Sequence, residues 1–316
     1  MNAPEMILGI LTLGVPFSVA LLLAATGEMF NQRAGVYNLG CEGVMALGAF
    51  AGFIVPYTLG PLWGNPATNL LGLGAALAMG AFLGVLFALV TVSFRANQGI
   101  AGIGLQMLGV GIAGALHRHF IGGASGVEGI PVWPVPVLSD IPIVGPMLFR
   151  LDPVAYLAFL LVPGAWWVLY RTDWGLRVRS VGDHPRAADS MGIPVNRVRY
   201  QALIVGGLFA GLAGAYLSLC QTKLFADDMI AGRGFIAVAL VYFGRWQPVG
   251  ILAGALLFSL AQAFQLAVQV QGIPFPYEFA VMLPYVLVIV VLAVSRGGRG
   301  REPAELGNPF HRERRV

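Results

Sequence analysis

The chain has 316 residues, of which 57% are hydrophobic and 11% charged, and a formal net charge of +4. A soluble domain carries about 25% charged residues, so the composition excludes a large soluble core and describes an all-α polytopic membrane protein. The basic residues gather in one loop and at the C-terminal end, as the positive-inside rule expects, which excludes nucleic acid and leaves membrane lipid as the surrounding partner.

The first apolar run extends from about Met6 to Thr26. Met1 to Glu5 carry no basic flank and the run is too long for a signal h-region, so it reads as a retained span. A polar turn follows, Glu28 to Arg33. The second span runs from about Leu39 to Leu59, the third from Leu70 to Phe94, and the fourth from after Gln98 to Leu116. His117, Arg118 and His119 mark an interface. Phe120 to Asp152 is so dense in Gly and Pro that it reads as an irregular, membrane-hugging external loop, with a re-entrant piece as the alternative. Pro153 to Tyr170, Tyr200 to Leu219, Val249 to Val270 and Phe279 to Ser295 are further spans. Gly234 to Gly244 is too short for a full crossing and reads as a broken or buried segment. The expectation is about nine transmembrane helices, between 8 and 10, in a single domain over residues 1–316, with a polar, mobile tail at 296–316.

Thr172 to Arg199 is the long polar interval in this apolar chain. Arg177, Arg179, Arg186, Arg197 and Arg199 lie in it and Arg171 just before it. Asp183 or His184 can cap a short helix, Pro185 suits its first position, and Gly192 offers a left-handed stop before Ile193-Pro194. A second short turn can begin at Asn196. Placing this loop and the tail on the cytoplasmic side puts 15 of the 19 basic residues inside and leaves Arg118, Arg150, Lys223 and Arg233 outside, with the N-terminus outside.

Candidate chemistry is sparse. Lys223 is the single lysine, and no G-x-x-x-x-G-K-[ST] occurs, so the chain does not hydrolyse ATP by itself. Cys41 and Cys220 sit in apolar surroundings and suit small packing roles, with no disulfide scaffold or metal-ligand cluster. Glu42 is the carboxylate set deepest along an apolar run, with Asn38 four residues before it on the same helical face. An ionisable group there is a substrate-path, relay or hinge candidate, and the competing reading is local pairing with Arg33 or a backbone amide. Gln262, Gln265 and Gln269 share one face of a span. They suit either a pathway for a neutral, hydroxyl-rich solute or ordinary interhelical hydrogen bonding, and Gln106 has the same ambiguity.

Three stretches carry a resemblance. Gly27–Gly43 (GEMFNQRAGVYNLGCEG) resembles the signature of permease subunits in bacterial ABC importers of the simple-sugar and nucleoside group. Val181–Ile193 (VGDHPRAADSMGI) is similar to that family's coupling loop, and Ala231–Ala237 with Phe243–Gly250 is similar to its third block. Cys41 and His184 depart from the pattern. The resemblance implies a type II-like permease of the cytoplasmic membrane, neither an enzyme nor a cofactor-binding chain. It implies partnership with an ATPase subunit that uses ATP, a second homologous permease as a hetero-dimer partner, and an extracytoplasmic substrate-binding protein. Its coupling loop, 172–199, would engage the ATPase through Gly182, Asp183, Pro185, Arg186, Ala187, Ala188, Met191 and Gly192. Branched-chain amino acid permeases have a similar loop, so an ABC permease for branched-chain amino acids is the alternative within the class. The reading from a different class is an ion-coupled secondary transporter with Glu42 as its coupling carboxylate.

Overall fold

The computed structural model describes residues 3–123, 125–142, 144–270, 279, 282, 286, 289, 290, 293 and 302–311. Helix α1 spans Ala3–Arg33 and is longer than its apolar run. The reason lies in its last turns: the Glu28 carboxylate accepts from Asn31 Nδ2 at 2.7 Å and from Gln32 Nε2 at 3.2 Å. Pairs three and four residues apart support a helix, so the stretch expected to turn at Glu28 stays helical to Arg33.

Helices α2 (Cys41–Trp63), α3 (Asn65–Ala88) and α4 (Gln98–Phe120) follow. α3 continues through a π-helical turn, Leu89–Ser93. Asn97 caps α4 by accepting from the Ile100 amide at 3.1 Å. The Gly- and Pro-rich stretch is irregular as expected, holding a short antiparallel pair, Trp133–Pro134 with Arg150–Leu151, and the single turn α5 (Val144–Leu148).

Asp152 then caps α6 (Pro153–Arg171) through the Ala155 amide at 2.9 Å, with Pro153 at the first position. Thr172 caps α7 (Asp173–Asp183) by accepting from the Gly175 amide at 3.1 Å. α8 (Pro185–Ser190) is short. α9 (Val195–Tyr216) begins where only a turn was expected near Asn196, and it runs into a second π-helical turn, Leu217–Gln221. α10 (Arg233–Phe243) and α11 (Pro248–Val270) complete the series.

Among the described residues, seven helices are long and apolar enough to cross a membrane, so the chain is a multi-pass membrane protein. The count differs from nine for two reasons. α10 has 11 residues, roughly 16 Å at 1.5 Å per residue, about half the hydrocarbon thickness. The expected last span, Phe279 to Ser295, lies largely outside the described residues.

α2 and α9 are the most enclosed spans, and α9 packs on α1, α2 and α3. Small residues allow that approach. A Cβ on Gly207 would overlap the carbonyl of Gly80, and one on Gly80 would overlap the carbonyl of Gly207, so two helix backbones touch there. Gly207→Val should therefore cost about 1–3 kcal/mol of overpacking and reduce the monodisperse fraction recovered in detergent. Gly74→Val, at a position with open space around the added Cβ, should leave that fraction unchanged. Equal recovery of the two variants would show that the α3–α9 contact is not tight.

Candidate functional site

After Arg33 the chain turns at Gly35, whose φ of 83° suits glycine, and doubles back along α1. The Asn38 amide donates to Glu28 Oε1 at 2.8 Å, some five residues or roughly 7 Å inside the end of α1. α2 thus begins within the bundle rather than at its surface. The Asn38 side chain is buried and accepts from the Gly40 amide at 2.8 Å.

α10 begins against the same point. The Glu42 carboxylate accepts from the Gly232 and Gly234 amides, each at 2.7 Å. α10 then returns to the Arg33 end, where the Arg33 guanidinium donates to the Trp246 carbonyl at 2.8 and 3.1 Å and to the Tyr170 hydroxyl at 3.3 Å. Trp246 Nε1 donates to Gln32 Oε1 at 2.9 Å. Of the two local partners weighed for Glu42, the structure shows the backbone amides. The N-termini of α2 and α10 both direct positive partial charge at this carboxylate.

Glu42 forms the floor of a chamber of about 440 Å³, within the usual range for small-molecule sites. Gln106, Val110, Gly114 and Arg118, spaced along one face of α4, form one wall; residues 225–232 form the other. At the rim Arg118 Nη1 donates to Asp227 Oδ2 at 2.8 Å, and His117 Nδ1 lies 3.1 Å from Asp227 Oδ1. The chamber therefore runs from the interior toward the end of the bundle opposite α7 and α8.

Of the sequence-derived pathway residues, Glu42 and Gln106 meet in the chamber. Asn38 lies beneath it, outside the lining. Gln262, Gln265 and Gln269 are on α11, which packs on α1, α6 and α10, and none of them lines the chamber. Among the described residues Gln262 Oε1 is buried without a hydrogen-bond partner, and Gln269 is exposed. Sequence reasoning missed Arg118 and Asp227, which lie 109 positions apart. The available signal was a cation and a carboxylate at the ends of apolar runs in a chain with only 15 carboxylates.

The loop between α6 and α9 forms a second candidate surface. A Cβ on Gly182 would overlap the Arg33 carbonyl, so α7 lies directly on the end of α1. Arg199, 2% exposed, donates from Nε to the Ala34 carbonyl at 3.2 Å and ties α9 to the same turn. Pro185 opens α8 and Gly192 follows it with φ of 82°, as the sequence suggests, while His184 precedes it without a side-chain cap bond. Arg186, Ala187, Met191 and Gly192 face outward, Met191 with 82% exposure. Asp183 is half-buried. Gly182, Pro185 and Ala188 are buried, so these three act as packing within the loop rather than as an outward surface.

The tail was expected to be mobile, and residues 302–311 are instead packed on this loop. The Glu305 amide donates to the Gly182 carbonyl at 3.0 Å and the Gly307 amide to the Gly35 carbonyl at 3.1 Å. Arg199 Nη1 donates to the Asn308 carbonyl at 3.0 Å. Backbone carbonyls at two turns needed donors, and the tail supplies them.

Residues 6–292 match the family described as branched-chain amino acid transport system / permease component. The guanosine ABC transporter permease protein of Bacillus subtilis is 36% identical over 322 residues, 98% of this chain and 99% of the relative. A protein of Haloferax volcanii, provisionally named a glucose ABC transporter permease protein, is 42% identical over 83% of this chain and 78% of its own length. The nucleoside ABC transporter permease protein of Lactococcus lactis subsp. cremoris is 35% identical over 89% and 90%. No solved structure matches the chain.

The Glu42 geometry gives a direct test. Glu42→Ala leaves the buried Gly234 amide and the half-buried Gly232 amide without their acceptor, at a cost of about 1–3 kcal/mol, and should lower the thermal midpoint of the purified protein; Glu42→Gln, which keeps one carbonyl oxygen, should lower it less. A midpoint for Glu42→Ala equal to that of the wild type would remove Glu42 as the cap of α10.

Proposed function

The chain belongs to the family of branched-chain amino acid transport system permease components, and from this we propose that it is the membrane-spanning subunit of an ATP-driven importer of a nucleoside or simple sugar. The observation that carries the solute class is end-to-end similarity to a guanosine permease, with glucose and nucleoside permeases beside it. The chamber supports the same reading. Its floor offers the Glu42 carboxylate, its wall the Gln106 amide, and its rim an ion pair, a set of acceptors and donors suited to a neutral hydroxyl-rich solute.

In this reading the α7–α8 loop and residues 302–311 face the cytoplasm, the loop seats on a separate ATPase subunit, and the chamber faces the extracytoplasmic side. A substrate-binding protein delivers the solute there, and a second permease completes the pathway. The membrane is the cytoplasmic one. The basic residues support this orientation, because Arg95, Arg171, Arg186 and Arg197 all belong to the loop end. ATP closure of the partner would press on α8, and Gly182 would pass the displacement to α1.

The ion-coupled reading loses its main support from Glu42. A carboxylate held by two amides at a helix start has a structural reason to be buried without a proton relay.

Tagging the chain, solubilising native membranes gently and identifying what co-purifies tests the class. An ATPase and a second permease in stable proportion, together with ATP-dependent uptake of labelled guanosine or glucose into vesicles, are expected. Uptake driven by an ion gradient with no ATP would overturn the proposal. Within it, Ala187→Glu, on the outward face of α8, should lower ATPase recovery and uptake about tenfold, the loss of roughly 1.4 kcal/mol of contact. Ala188→Glu should reduce folded protein instead, because that side chain is 4% exposed.

A further inference from the structure

We propose that residues 302–311 form part of the docking surface for the ATPase subunit, walling two clefts that flank α8 and receive acidic side chains from that partner. The inference rests on the reading of the α7–α8 loop as the coupling element. It adds a second stretch of chain, over a hundred positions later, to the surface.

The tail is fixed to the loop by backbone hydrogen bonds at Gly182 and Gly35 and by the Arg199 contact to Asn308. Gly307, with φ of 85°, lets it bend close over the Tyr37 ring. Leu306 and Phe310 pack against the apolar core. His311 Nδ1 lies 3.2 Å from Arg95 Nη1, so the tail also reaches the turn between α3 and α4.

Two clefts result. One, about 240 Å³, lies between Pro185 and Arg186 on one side and Asn308 to His311 on the other. The other, about 420 Å³, lies between Arg95 and Phe310 and the Gly192–Arg197 stretch after α8. Phe310 is a wall of both, so the tail and α8 together make one relief. In the first cleft Arg186 and Arg199 face the single carboxylate of Glu305; in the second Arg95 and Arg197 face Asp189. Counting the described residues, each cleft is thus net positive, and Met191, at the end of α8, stands exposed. A partner surface that complements this relief carries carboxylates around an apolar residue. A short helix of six residues has little area of its own, and the two clefts supply the concave surface that a stable seat requires.

The test uses the full chain in membranes with its partners. A photo-crosslinking phenylalanine analogue placed at Phe310 should give an adduct with the ATPase chain, as should the same analogue at Ala187, whereas one at exposed Trp63 on the far end should give none. An adduct at 187 without one at 310 would overturn the tail proposal and leave the coupling loop standing. No adduct at either position would overturn both. Arg197→Glu, on an exposed side chain, should lower ATPase recovery about fivefold at low salt while Arg197→Lys preserves it. Equal recovery for the two would overturn the acidic character assigned to the partner.

Discussion

A helix that starts within a bundle leaves its first amides without intrahelical partners and must find acceptors for them among its neighbours. In this chain the Glu42 carboxylate accepts from Gly232 and Gly234, and much of the molecule follows from that requirement. For Glu42 to reach the start of α10, α2 must begin at depth. The chain must therefore re-enter after Arg33, and the re-entry is held by Glu28 accepting from Asn38. Much of the polarity of the Gly27–Gly43 signature thus serves hydrogen bonding, with the Asn31 and Gln32 side chains and the Asn38 amide all donating to Glu28 beneath the floor of the chamber. The carboxylate that accepts from α10 is also a polar group lining the cavity.

The opposite constraint governs the loop end. There the elements are joined by contacts too close to slide, with α7 resting on α1 at Gly182, and by buried guanidinium groups that reach across helices. Arg33 joins α1 to α6 and to the α10–α11 connector; Arg199 joins α9 to the end of α1 and to the tail. The loop end is thus held by buried contacts, whereas the chamber rim is held by an exposed ion pair between Arg118 and Asp227.

What the sequence made legible follows the range of the forces involved. Local chemistry was readable: the Pro185 start and Gly192 stop of α8, the breaks at Asn97 and Asp152, and the shortness of α10 all rest on neighbours a few residues apart. The apolar runs located every long helix among the described residues. Errors arose where a distant partner decides the outcome. The Glu28–Arg33 stretch is polar by composition yet helical, because its side chains bond within the helix and Trp246 takes the remainder. Residues 302–311 look like a solvated tail until the Gly35 and Gly182 carbonyls are seen to need donors. The pathway residues divided in the same way. Glu42 and Gln106 meet, but the α11 glutamines share a face with one another and not with the chamber, since periodicity reveals which residues are neighbours on one helix and nothing about the helix opposite.

The two turns that complete the loop surface come from widely separated parts of the chain, Gly35 and Gly182 on one side and Glu305 and Gly307 on the other. Between Gly182 and Glu305, among the described residues, lie α8, α9, α10 and α11. In chain order the loop consequently comes long before its donors. Synthesis from the N-terminus thereby gives the loop an order of completion: its flanking clefts need residues 305–311, so a chain that stops before α11 presents an α8 without them.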